Sequence, residues 1–222
     1  MAPFGTIFSY PNNPRVLKVQ AAGSLNGLEV VYAPDFTMGK TNKESEFLAK
    51  FPLGKVPAFE SADGLKLWGS DAIAQYVAES GPAATQLLGA DTAQRAVIRQ
   101  WVDFAEGEIM ASLVPLLLWR VKLTQYNETI ERISLQNVER CLATLEQHLK
   151  GRTWIATEDK LSLADISVIS AVYWGFSRII DAEMREKYPT FVAWYNKATE
   201  AEEIKHIYAE KSFIEKREAY QG

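Results

Sequence analysis

From Asp91 to the end of the chain no segment alternates apolar and polar residues at the strand period, whereas the roughly 80 residues before it are dense with strand signals. That asymmetry excludes a single sheet running the length of the chain. Residues 6–10 (Thr-Ile-Phe-Ser-Tyr) are β-prone and stop at Pro11-Asn12-Asn13-Pro14. Residues 15–22 then read as a helix with Gly23 after its end, and 28–32 as a second strand. A polar loop leads to a short helix carrying Phe47 and Leu48. Residues 56–60 and 65–68, separated by the Asp63-Gly64 turn signal, look like a hairpin. Ser70-Asp71 is positioned to cap a helix whose apolar positions are Ala72, Ile73, Tyr76 and Val77. The order is β-α-β-α-β-β-α. After a break at Gly81-Pro82, helical patterns cover 92–118, 129–149, 163–180 and 189–199. In the second of these Leu135, Val138, Leu142, Leu145 and Leu149 recur at three and four residues. The pattern predicts an α+β chain: a small α/β domain over 1–82 and an all-helical domain over 91–222.

Composition removes several function classes. With 24 basic and 28 acidic residues the net charge is −4, a poor basis for displacing counterions from nucleic acid. One cysteine, Cys141, excludes an internal disulfide, and two histidines leave little for a metal centre, so none is expected. The most apolar run, 109–119, contains Ser112 and Pro115 and falls short of the ~20 residues a membrane span needs. The start carries no basic region or apolar signal core, so a cytoplasmic location is expected.

Four motifs have both a structural and a chemical reading. Gly39-Lys40-Thr41 imitates the end of a phosphate loop, but Pro34 stands where that loop needs its first glycine. Val56-Pro57 is either a plain strand opener or a cis peptide that offers the Val56 backbone to a bound peptide. Ser70 is either an N-cap or a ligand for a carboxylate at the helix end. Ser162-Leu163-Ala164-Asp165 follows capping-box logic, with Asp in place of Glu before an apolar helix.

Together, Leu53-Gly54-Lys55-Val56-Pro57-Ala58-Phe59, Trp68-Gly69-Ser70-Asp71-Ala72-Ile73 and Leu161-Ser162-Leu163-Ala164-Asp165-Ile166 resemble the glutathione transferase superfamily over nearly the whole chain. The likeness is nearest to the glutathione-transferase-like domain of translation elongation factor 1 gamma, through Gly5-Thr6-Ile7-Phe8-Ser9-Tyr10-Pro11, Phe47-Leu48-Ala49-Lys50-Phe51-Pro52 and Gln100-Trp101-Val102-Asp103-Phe104-Ala105. The resemblance implies a thioredoxin-like domain, a helical domain and a homodimer, here expected as a stand-alone, fungal-type transferase. It implies glutathione as co-substrate, a cis Val56-Pro57 bond, Val56 paired backbone to backbone with the cysteinyl part, and Ser70 on the γ-glutamyl carboxylate. Asn42 and Lys43, helped by Lys55, match positions that contact the glycyl carboxylate. Gly69 stands where the family usually has an acid. The γ-glutamyl ammonium is therefore expected to turn to Asp71, or to Asp103 or Glu106 across the dimer.

A free thiol of pKa about 8.5 is only a few per cent thiolate at neutral pH, so a donor at the sulfur is required. Tyr10 is the strand-end candidate, with Asn12 and Asn13 as loop candidates. Leu113, Leu117, Trp119, Tyr173 and Trp174 are candidate walls for an apolar electrophile. Conjugation is one expected function. Its reversible variant, cis-trans isomerisation of a conjugated metabolite in secondary metabolism, is the close second. A non-catalytic module of an elongation factor complex and a glutathione-binding regulator are the alternatives.

Overall fold

The computed structural model describes residues 2–221, and the chain divides into two compact units, Met1–Leu88 and Gly89–Gly222. The first holds a four-stranded sheet in the order β2-β1-β3-β4, with β1 Gly5–Phe8, β2 Val30–Tyr32, β3 Ala58–Ser61 and β4 Lys66–Trp68. β1 pairs in parallel with β2 (Ile7 opposite Tyr32) and antiparallel with β3, and β3 pairs antiparallel with β4. Parallel neighbours need a crossover, which α1 (Pro14–Leu25) supplies. Asn13 caps α1 through Oδ1, Pro14 enters its first turn, and Gly27 follows at φ 65.

Successive strand residues face opposite sides of the sheet, and each side is covered. Ile7 and Phe59 are buried, as are Val16 and Val19 of α1 and Ile73 and Val77 of α3 (Ser70–Glu79). On the other side Phe8 and Ala58 pack with Phe47 of α2 (Ser45–Lys50), Phe51 and Phe36. The apolar run expected as a third strand from 56 begins pairing only at Ala58, because Pro57 has no N–H to give a ladder. The break after Gly81 contains a short helix, α4 (Ala84–Leu88).

Among the described residues the second unit contains no strand. Its first helical stretch is not continuous. It runs as α5 (Thr92–Phe104), a π segment over Ala105–Met110, and α6 (Ala111–Arg120). Gly107, a weak helix former, lies inside the widened turn, and Pro115 follows in α6. α7 (Glu128–His148) turns the Val138, Leu142 and Leu145 stripe inward. α8 (Leu163–Arg178) is buried nearly all round, the signature of a central helix. α9 (Ala182–Lys187), which the periodicity of so short a segment does not reveal, and α10 (Pro189–Thr199) complete the unit. Arg120 and Glu131 join α6 to α7 by a buried ion pair of 2.7 Å, and the same carboxylate accepts the Trp119 indole N–H.

Among the described residues no helix is long and apolar enough to cross a membrane. None of their histidine, cysteine and acidic side chains form a group of three that could hold a metal ion.

Candidate functional site

The N-terminus of α3 differs from the sequence expectation in one informative way. Gly69, not Ser70, is the N-cap, with φ 84, a left-handed conformation that only glycine adopts cheaply. Ser70 is the first helical residue, 5% exposed, and no side chain caps the helix. Space is open around the Cβ that Gly69 lacks, so the glycine serves backbone conformation rather than packing. The Ser70 hydroxyl and the first-turn N–H groups therefore lie together at the positive end of the helix dipole, suited to a carboxylate.

The Val56-Pro57 bond is cis. The turn before it contains Gly54 at φ 59, where a Cβ would come within 2.9 Å of the Asn42 carbonyl oxygen. Asn42 lies beside this turn. Its side chain is buried and spent on the fold: Oδ1 accepts the Gly39 N–H at 2.7 Å and Nδ2 donates to the Gly54 carbonyl at 2.7 Å. An amide engaged on backbone at both ends clips the loop to the turn. Lys43 and Lys55, the exposed neighbours of the two clipped residues, keep their charges in solvent at that edge.

The corner after β1 is built by Asn13 and Tyr32. Asn13 is buried, its Oδ1 accepting the Arg15 N–H at 3.1 Å and its Nδ2 donating to Ser9 Oγ at 3.0 Å, which ties it into the fold at this corner. Asn12 is exposed at φ 56, a conformation asparagine tolerates better than most residues, and its backbone N–H donates to the Tyr32 hydroxyl. Burial pushes the Tyr32 phenol up to about 12, with the neighbouring Tyr10 adding to the rise. Burial also raises Tyr10, and the Arg15 guanidinium offsets part of that rise. Both phenols thus keep their protons at neutral pH and act as donors, in a field that Arg15 makes favourable to an anion. Arg15 and Tyr32 were not legible as site residues, because their relation to Tyr10 arises only when β2 and the start of α1 converge on the end of β1.

Asp71 is engaged within the fold. Lys18 of α1, 3% exposed, reaches across to Asp71 Oδ1 in a hydrogen-bonded ion pair that ties α1 to α3. The carboxylate expected to hold a ligand ammonium is already held by a buried one. Nothing in the sequence flags Lys18, which sits between Leu17 and Val19 and finds its partner 53 residues away.

Of the five expected pocket walls, Leu113 is fully buried and packs beside Gly175 of α8. It serves packing, since a side chain with no accessible surface offers a ligand none. Trp119 is committed to Glu131 at 2.7 Å and meets Tyr126 and Tyr220 edge to face. Leu117 is 6% exposed, Tyr173 is buried beside Tyr208, and Trp174 is half-buried. Cys141 is buried, with its thiol pushed up to about 11 by burial, which makes it a core residue and not a nucleophile.

Residues 3–79 match the family model described as glutathione S-transferase, N-terminal domain, and residues 105–202 match glutathione S-transferase, C-terminal domain. The glutathione S-transferase-like protein LUC7 of Fusarium sp. is 46% identical over 221 residues, covering 100% of both chains. Elongation factor 1-gamma of Danio rerio is 34% identical over 215 residues, which is 96% of this chain but 47% of that protein. The solved GST-like domain of elongation factor 1-gamma from Saccharomyces cerevisiae superposes with a TM-score of 0.84 at 26% identity, covering 100% of each chain. With family models matching most of the chain and a full-length relative of this similarity, the chain belongs to the glutathione S-transferase superfamily.

Proposed function

We propose that the chain is a glutathione transferase that binds glutathione on its first unit and adds the thiolate to a small apolar electrophile. The observation that carries this reading is the α3 terminus, where Gly69 takes the cap position and leaves the Ser70 hydroxyl and the helix-end amides to an anion. In this reading Ser70 holds the γ-glutamyl carboxylate, and Val56, next to the cis bond, pairs with the cysteinyl backbone. Lys43 and Lys55 meet the glycyl carboxylate, with Asn42 holding their two segments in register. The thiol then reaches the Tyr10–Asn12 corner, where a neutral phenol stabilises the thiolate it leaves. The reading includes a homodimer and a place in secondary metabolism. With a conjugated alkene as electrophile, thiolate addition turns the double bond single, rotation follows, and elimination returns glutathione and the isomer.

Titration calorimetry with glutathione, paired with a conjugation assay on an activated aryl halide, tests the reading. Binding and turnover are expected. Binding without turnover would leave a glutathione-binding regulator, and neither would favour the non-catalytic module. The likeness to elongation factor 1-gamma supports that second reading, although this chain spans only 47% of that relative.

The donor has its own test. Tyr10→Phe is expected to raise the pKa of the bound thiol by about one unit, and to lower kcat/KM at neutral pH by about tenfold, with glutathione affinity nearly kept. The thiolate absorbance of the complex followed against pH measures the shift. No shift in Tyr10→Phe, with one in Asn12→Ala, transfers the role to Asn12.

A further inference from the structure

We propose that Tyr32 is a positioning residue for the thiolate donor: its hydroxyl holds the turn that presents Tyr10. The inference rests on the glutathione reading above and deepens it by assigning a further residue to that site. β1 and β2 pair in parallel with Ile7 opposite Tyr32, and the Ala33 N–H donates to the Ile7 carbonyl at 2.9 Å. Tyr32 thus stands at the last rung of that pairing. Paired residues of neighbouring strands face the same side of a sheet, so Tyr32 shares with Ile7 the side covered by α1. From there its side chain reaches the turn that leads into α1, and its hydroxyl oxygen accepts the Asn12 N–H.

The turn is anchored at its base and at its tip. At the base the buried Asn13 donates through Nδ2 to the buried Ser9 hydroxyl at 3.0 Å. At the tip Asn12 is exposed and left-handed at φ 56, and the Tyr32 hydroxyl ties it back to the sheet. Between Asn12 and Tyr10 stands Pro11, whose ring fixes its own φ. Restraint at Asn12 therefore passes to Tyr10 through one stiff residue. Tyr10 is half-buried and near enough to bear on the Tyr32 phenol, with the Arg15 guanidinium as the charge beside it. A hydrogen bond to a thiolate stabilises it most when the donor is held in place before the charge forms. Tyr32 supplies that order through the backbone of the turn, and Tyr10 makes the bond.

Tyr32→Phe keeps the ring and removes the acceptor. In the wild-type protein, hydrogen exchange of the Asn12 amide is expected to be slowed by about tenfold or more despite the exposure of the residue, and to quicken in Tyr32→Phe. With glutathione bound, Tyr32→Phe is expected to raise the thiol pKa by about half a unit and to lower kcat/KM at neutral pH about threefold, with affinity kept within about twofold. In a Tyr10→Phe background the same change should add nothing, because a residue that acts through Tyr10 has no phenol left to position. A merely structural role would add its loss in both backgrounds. Equal shifts in both backgrounds, no shift in Tyr32→Phe beside one in Tyr10→Phe, or fast exchange at Asn12 in the wild type overturns the inference and leaves the glutathione reading intact. An unshifted titration in Tyr10→Phe removes the donor that Tyr32 would position and overturns the inference too. Failure of the wild-type protein to bind glutathione overturns that reading and this inference with it.

Discussion

Asp165→Ala is expected to lower the stability of the helical unit by about 3–5 kcal/mol, seen as a large drop in its unfolding temperature. The carboxylate is fully buried at the start of α8 and serves three donors. Oδ1 accepts the Ile155 N–H at 2.8 Å; Oδ2 accepts the Ser162 N–H at 2.8 Å and the Ser162 hydroxyl at 3.0 Å. An exposed cap is worth about 1 kcal/mol. Here alanine strands several donors without water, which is why the larger figure applies. The pH dependence has a definite sign. Burial, only partly offset by those hydrogen bonds, raises Asp165 from 3.8 to about 6. The folded state therefore binds the proton more tightly than the unfolded state does. The Asp165 contribution to stability is fullest below about pH 4 and falls by about 3 kcal/mol as pH rises to about 6, staying level above that. Urea unfolding of wild type and Asp165→Asn across that range should show the difference between them shrinking as pH rises. A difference that grows with pH would mean that the hydrogen bonds outweigh desolvation. Full stability with lost turnover in Asp165→Ala would move the residue from the cap to the chemistry.

Ser70→Ala is expected to weaken glutathione binding by about 10- to 100-fold, the worth of a charge-assisted hydrogen bond of roughly 1.5–3 kcal/mol. Stability should change little, since this hydroxyl does not cap α3 and its removal costs the helix no terminal bond. Calorimetry and thermal unfolding on the same variant separate the two roles. Unchanged affinity with a lowered unfolding temperature would return Ser70 to a purely structural place.

What local chemistry controls was legible before any coordinates. The Ser162–Asp165 box at the start of α8 acts over three residues and formed where the sequence puts it, whereas α1 starts one residue before the expected Arg15, with Asn13 as its cap. The heptad-like stripe of α7 needs only its own period to declare which face is buried. Boundaries were less legible: the 92–118 pattern is interrupted by a π segment, because apolar periodicity barely registers one widened turn. At the candidate site, residue types could be read in order along the chain, but not their engagements. Asn42 looked like a ligand until Gly39 and Gly54 were brought to its two ends. Ser70 looked like a cap until Gly69 took the left-handed turn before it. Asp71 looked available until α1 packed on α3 and delivered Lys18 to it. The sequence by itself determined the two-part architecture and the α8 capping box, because those depend on neighbours within a few residues. The tertiary structure alone decided which polar groups near the candidate site remain for a ligand, because each one's hydrogen-bonding capacity is used or spared by partners far away in the chain.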